Sequence, residues 1–287
     1  MDQTTPVLTQ YSGVCNARRK RSGKIKIGVH SKSNSAVKIL ITVLLGLTVY
    51  AFISFDYKEI VLGEAIAATL RNVKTVFLEP KLSTDTFKNV MYQLFLTFCL
   101  GTLSTIFGAI AAFFCSLLCA KNTAPSGVAN AVKCVIALIR AVPTVLWVLI
   151  FAVSAGLGSV AAVIGLTFHS FAYLTKVYAE SIEEIDDGTI EALRASGAGF
   201  WQIVFQAIVP ASLSRMVAWT FMRFEINFTN AIAVGAAAGA GGIGFNLYMA
   251  GSFYFNLHEM GILTYIVVIA VVTVSYTHLR AHETLAN

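Results

Sequence analysis

Two ionisable residues, Arg223 and Glu225, stand inside an otherwise uncharged apolar stretch. At the middle of a bilayer such a group costs at least about 2.5–3.5 kcal/mol unless it pairs or faces water, so it marks a functional site by default. Helical spacing puts Arg223, Asn227 and Asn230 on one face (i, i+4, i+7) and Glu225 and Thr229 on another. Arg223 and Glu225 are therefore not placed to satisfy each other within one helix. The Arg223 face admits two readings. It can line a polar pathway for an anion, whose oxygens suit the forked donors of a guanidinium. Alternatively, Arg223 or Glu225 locks this helix to another, with Arg140 or His169 as the partner. The lock suits Glu225 better and the pathway suits the Arg223 face better. His169 is a lone histidine with no acid on its own helix face, which favours a hydrogen-bonded interior side chain over a proton relay.

Other chemistry is poorly supplied. Cys115 and Cys119 lie four apart on one helix face, but no further ligand accompanies them, so small packing residues are the better reading than a metal site. There is no G-x-x-x-x-G-K-[ST] loop, so the chain is not expected to hydrolyse ATP. No nucleophile or metal constellation points to an intramembrane enzyme. The expectation is a protein that is not an enzyme and binds no cofactor or metal of its own.

The elements that must position these residues are membrane spans. Of 287 residues, 56% are hydrophobic and 13% charged, about half the charged share of a soluble domain. A span needs about 20 mostly apolar residues. Six stretches qualify: 37–55, 90–119, 129–153, 159–178, 212–238 and 259–276. The second is long enough to tilt or to extend past the bilayer. The third is interrupted by R-A-V-P at residues 140–143, where the proline is expected to kink a helix. Residues 56–89 mix both charges and read as an extramembrane segment, partly helical. The fold expected is an all-α polytopic bundle, because backbone polar groups in lipid must be satisfied internally. Small residues at 239–244 allow close helix packing or a flexible gate.

Net charge is +6, and the excess lies ahead of the first span or at its very start, in Arg18, Arg19, Lys20, Arg21, Lys24, Lys26, Lys32 and Lys38. Residues 1–36 read as a disordered cytoplasmic tail obeying the positive-inside rule, rather than as a nucleic-acid-binding arm. Six spans then put both termini in the cytoplasm, together with the polar island at residues 180–210. From Ser275 the ending V-S-Y-T-H-L-R-A-H-E-T resembles translated sequencing-adapter read-through. Residues 277–287 are read as a tail, either such an artefact or a normal short cytoplasmic tail; in the first case His278 and His282 receive no functional reading.

Within the island, Asp186, Asp187 and Thr189 can cap a helix N-terminus. A two-turn helix should follow, then a reversal at Gly197 and Gly199, then a short amphipathic element from Trp201 that ends at Pro210. Two short helices meeting at a glycine make a compact knob able to dock in a partner's groove. The plainer alternative is an interfacial linker anchored by Phe200 and Trp201 at the headgroups.

At these residues the sequence resembles a known family. E-A-L-R-A-S-G followed by I-V-P resembles the EAA signature of ABC importer permeases, through Glu191, Ala192, Gly197, Ile208 and Pro210. R-A-V-P-T-V-L-W (140–147), H-S-F-A-Y-L-T-K-V-Y-A-E-S-I-E (169–183), R-F-E-I-N (223–227) and G-A-G-G-I-G-F (239–245) resemble the phosphonate permease branch of that family, the PhnE type. The resemblance covers residues 88–270 and weakens in the tail and the first extramembrane loop. It implies the type I ABC importer permease (MetI-like) fold over the transmembrane domain, residues 37–276. It implies that the loop at 180–210 is a coupling element docking on a cytoplasmic ATP-binding subunit. It also implies a second permease copy forming a homodimer and an extracytoplasmic substrate-binding protein.

The combined reading is the inner-membrane permease subunit of a bacterial ABC importer for phosphonate or a related phosphorus oxyanion. Alternatives within the class are phosphite, phosphate or methionine as the solute. A different class, an ion-driven secondary transporter or channel, would show internal repeats with broken helices, and no long repeat is visible.

Overall fold

The computed structural model describes residues 15–19, 25–29, 32–55 and 61–286, with side chains described at 35–55 and 61–277. Lys20, Arg21 and Lys24 of the basic run, and the side chains of His278 and His282, lie outside those residues. Two compact units divide the chain, residues 1–66 and 67–287, and each is taken by itself.

In the first unit, β1 (Cys15–Arg19) and β2 (Ile25–Val29) pair antiparallel, with Cys15 opposite Val29. This corrects the expectation of disorder over that part of the tail. The cause is local: Ile25, Ile27 and Val29 alternate with Lys26 and Gly28, which is the strand period. Helix α1 (Lys32–Ser54) follows, and its residues Ser35–Ser54 are long and apolar enough to cross a membrane.

The regular elements described in the second unit are all helices: α2 (Leu62–Leu78, begun in the first unit), α3 (Phe87–Cys119), α4 (Ser126–Ala141), α5 (Thr144–Ala155), α6 (Ser159–Glu183), α7 (Asp187–Ala195), α8 (Phe200–Ile203), α9 (Val209–Ala238), α10 (Gly242–Tyr248) and α11 (Leu257–Ala286). Counting Ser35–Ser54 of the first unit, five helical stretches among the described residues are long and apolar enough to span a bilayer, and six if α4 and α5 count as one. Helix α3 rises about 50 Å at 1.5 Å per residue, beyond the roughly 30 Å hydrocarbon core.

Helices α3, α6 and α9 pack together through small residues. A Cβ on Gly108 would sit 2.8 Å from the Ser170 Cβ, and one on Gly101 3.1 Å from the Phe228 backbone. Close backbone approach of this kind is how helices associate where lipid is as apolar as leucine.

The third span departs from a simple kink. Helices α4 and α5 meet at 88°. Pro143 has no N–H to give the Ile139 carbonyl four residues earlier. The Trp147 indole Nε1 donates to that carbonyl instead, at 3.0 Å, so the sharp turn leaves no orphan there.

The expected proline stop at Pro210 is also corrected. The chain runs helically from Phe200 to Ala238, through a π-helical segment, Val204–Ile208, in which the Val209 N–H bonds to the Val204 carbonyl. One wider turn shifts the hydrogen-bond register ahead of the proline, which then occupies the first turn of α9, where its missing N–H is tolerated.

Candidate functional site

The loop at residues 180–210 is built as a shelf on the bundle. Asp186 caps α7, its Oδ2 accepting from the Thr189 N–H at 3.2 Å. Ile190 is 2% exposed and belongs to one buried cluster with Leu117, Ile182, Ile203 and Ile208, while Glu191 and Ala192 of the same helix are exposed. Gly197 closes the helix in the left-handed region, φ +86°, a conformation that costs an alanine about 1–2 kcal/mol. The Ala198 N–H then returns to the Leu193 carbonyl at 3.0 Å. Phe200, Trp201 and Phe205 form an exposed aromatic strip, with Trp201 stacked on Phe205.

Of the five residues matched to the signature, the structure leaves Glu191, Ala192, Gly197 and Pro210 on the surface. Ile208 is fully buried within the cluster that also holds Ile190 and Ile203, so its place in the loop is that of an anchor to the bundle.

Polar contacts tie the shelf to the α3–α4 turn. Glu183 Oε1 accepts from the Lys121 N–H at 2.9 Å and pairs with Lys133 Nζ at 2.8 Å. Asn122 Nδ2 donates to the Ile182 carbonyl, and Arg194 Nη2 donates to the Asn122 carbonyl at 3.3 Å. Arg215 of α9 pairs with Glu184 and donates to the Ser181 carbonyl. Half-exposed ion pairs contribute little stability; here they fix geometry, joining the end of α6 and the loop to α4 and α9.

Midway along the three packed helices lies a buried polar layer. Arg223, 2% exposed, donates through Nε to Ser170 Oγ at 3.0 Å and through Nη2 to His169 Nδ1 at 2.9 Å. A guanidinium can only donate, so His169 accepts at Nδ1 and is neutral there. Asn227, fully buried, donates through Nδ2 to Thr105 Oγ1 and Ser170 Oγ, both at 2.8 Å. The Arg223 guanidinium stands 5.2 Å from the centre of the Tyr173 ring, and Arg140 of α4 stands 5.9 Å from the same ring. Neither arginine has a carboxylate partner among the described residues.

The four candidate pathway residues therefore separate. Arg223 and Asn227 meet in one network that joins α9 to α6 and α3. Asn230 is half-buried, one turn further along. Glu225 points elsewhere, accepting from Ser275 of α11. Arg223 bonds to His169, one of the two partners named in the structural alternative, whereas Arg140, the other, meets it only through the shared tyrosine.

Sequence reasoning missed the opposite end of the bundle. Glu259, 3% exposed, accepts from the N–H groups of Thr84 and Asp85 at 3.0 and 2.7 Å. Gln93 Oε1 and Thr97 Oγ1 accept from the N–H groups of Gly242 and Ile243, at the start of α10. The Gly242 and Ile243 groups are orphan donors at a helix start, while Thr84 and Asp85 lie just ahead of α3; an acidic residue beside an apolar span was the available signal. Gly244 packs so tightly that a Cβ there would fall 1.8 Å from the Ile232 carbonyl, so packing accounts for this glycine of the 239–244 run.

Among the described residues, no three His, Cys, Asp or Glu side chains are placed to hold a metal ion.

The model of the family described as "Binding-protein-dependent transport system inner membrane component" matches residues 112–282. The phosphate-import permease protein PhnE of Mycolicibacterium smegmatis is 35% identical over 174 residues, 60% of this chain and 32% of that protein. The phosphite transport system permease protein PtxC of Stutzerimonas stutzeri is 31% identical over 172 residues, 60% of each. The chain thus spans about a third and three fifths of these two relatives. A solved structure of the MetNI methionine ABC transporter, in an inward-facing conformation, superposes with TM-score 0.62 at 22% identity, over 71% of this chain and 99% of that one. The fold is the all-α one of these importer permeases.

Proposed function

Because the chain belongs to the family of binding-protein-dependent transport system inner membrane components, we propose that it is the permease subunit of an ABC importer. An ATP-binding subunit docks on the loop at 180–210, and the cargo is a small phosphorus oxyanion. The observation that carries this reading is the shelf itself. Its exposed residues, Glu191 and Ala192, stand on a capped helix whose Ile190 is buried and whose base is bonded to the α3–α4 turn, α4 and α9. A push on that surface is passed to the bundle as a rigid-body displacement, biasing a two-state element rather than performing chemistry.

Orientation follows from the positive-inside rule. The shelf and the α3–α4 turn lie in the cytoplasm, as do both termini, and the end carrying Glu259 and α10 faces the extracytoplasmic binding protein. A second copy completes the translocation path. The phosphorus oxyanion is supported by the names of the two relatives and by the positive charge of Arg223 and Arg140 in the middle of the bundle. The names favour phosphate and phosphite alongside phosphonate as cargo.

The test is uptake by proteoliposomes holding the assembled complex. Labelled methylphosphonate, phosphite and phosphate are compared with methionine. At least one phosphorus oxyanion should enter only with ATP. Entry without any ATPase subunit, or entry of methionine alone, contradicts the proposal.

A further inference from the structure

A cavity of about 240 Å³ opens between the end of α3, α4 and α6, lined by Cys119, Lys133, Ala137, Arg140, Lys176 and Glu183 among others. That volume holds about eight waters at their liquid volume. Its lining carries three cations, Lys133, Arg140 and Lys176, against two carboxylates, Glu180 and Glu183. Each carboxylate is taken by a lysine: Lys133–Glu183 at 2.8 Å and Lys176–Glu180 at 3.4 Å. Arg140 is left without an acid among the described residues, and it is exposed.

Depth makes that exposure informative. Arg140 stands against Tyr173, whose ring also meets Arg223 of the midway layer. A charged side chain exposed at that level cannot face lipid without a cost of several kcal/mol, so the face of α4 and α6 that bears it meets water. From Arg223 the cations continue through Arg140 to Lys176 and then Lys133, whose partner Glu183 is bonded to the α3–α4 turn.

We propose that Arg140, with Lys133 and Lys176, forms a transit site for a small tetrahedral oxyanion on a water-filled passage along α4 and α6. The α9 face is then the far wall of this route, and Arg140 supplies the free guanidinium fork that oxyanions suit. Paired lysines keep the net charge low enough for the anion to leave. The proposal rests on the reading of the chain as an oxyanion permease.

The full-length chain carrying Ala137→Cys, in its membrane and with its partner subunits, is labelled with two water-soluble thiosulfonates. One is anionic (sulfonatoethyl) and one cationic (trimethylammonioethyl), each rate being counted above the parent chain and normalised to a free thiol. The anionic reagent should react at least tenfold faster. Arg140→Gln should cut that ratio at least threefold, and Arg140→Lys should largely keep it. Millimolar phosphate or methylphosphonate should slow labelling when Arg140 is present and not in Arg140→Gln. No labelling, equal rates for the two reagents, or indifference to both anions overturns the site. The readout needs neither ATP nor uptake, so a failure of ATP-driven transport would fall on the functional reading and leave the site standing.

Discussion

Glu191 and Ile190 are neighbours in sequence with opposite duties. Glu191 is exposed, so Glu191→Ala should change stability by no more than about 0.5 kcal/mol while lowering transport-coupled ATPase activity of the assembled complex. Ile190 is 2% exposed, and Ile190→Ala should cost about 2–5 kcal/mol, read as a lower midpoint in thermal unfolding of the purified chain. The reverse ranking would remove the shelf from the account. In the midway layer, Asn227→Ala leaves Thr105 and Ser170 short of a donor and should destabilise by about 1–3 kcal/mol in the same measurement. The i, i+4 pairing of Arg223 with Asn227 was legible in the sequence, because one helix's geometry sets it. Their partners Thr105, Ser170 and His169 were not, since those residues lie on other helices and register across a bundle is a tertiary fact. Ile208 illustrates the converse: a residue conforming to a docking motif is 0% exposed, and only packing reveals it as an anchor.

At the scale of elements, long apolar stretches are easy to read because the bilayer sets a minimum length, and the spans stand close to where that length puts them. Breaks are harder. A proline announces a disturbance but not its form. At Pro143 the result is an 88° turn, stabilised by the Trp147 indole on the Ile139 carbonyl. At Pro210 the helix passes through, because the π-helical turn at Val204–Ile208 absorbs the missing donor. Trp147→Phe keeps the ring and removes the N–H. It should cost about 1–3 kcal/mol, the penalty of a carbonyl left unsatisfied, seen as faster hydrogen exchange around residues 139–147. Exchange unchanged there would show that the turn stands without that bond. At the shelf, Gly197→Ala forces a side chain into the left-handed region and should lower stability by about 1–2 kcal/mol. Strands β1 and β2 were overlooked for a different reason: the abundance of lysine and arginine hid the alternation of Ile25, Ile27 and Val29.

The second unit is a bundle with two polar ends and one buried polar layer between them. The α3–α4 turn and the loop at 180–210 share one end, so a reporter fused at residue 195 should read cytoplasmic, and an extracytoplasmic signal would invert the topology. The family was legible from a motif whose glycine and proline positions must match jointly. The cargo proposed for the chain was less so, because Arg140, Lys176 and Arg223 lie on α4, α6 and α9 and meet around Tyr173 and the cavity only in three dimensions. The most direct test of the central claim is a cross-link. Glu191→Cys, in the complex assembled with the ATP-binding subunit, is joined by a short bifunctional thiol reagent to cysteines placed around the groove of that subunit. The account predicts a heterologous cross-link in high yield whose efficiency changes when ATP is bound. No cross-link from position 191, with efficient cross-linking from the Glu259 end instead, would contradict it.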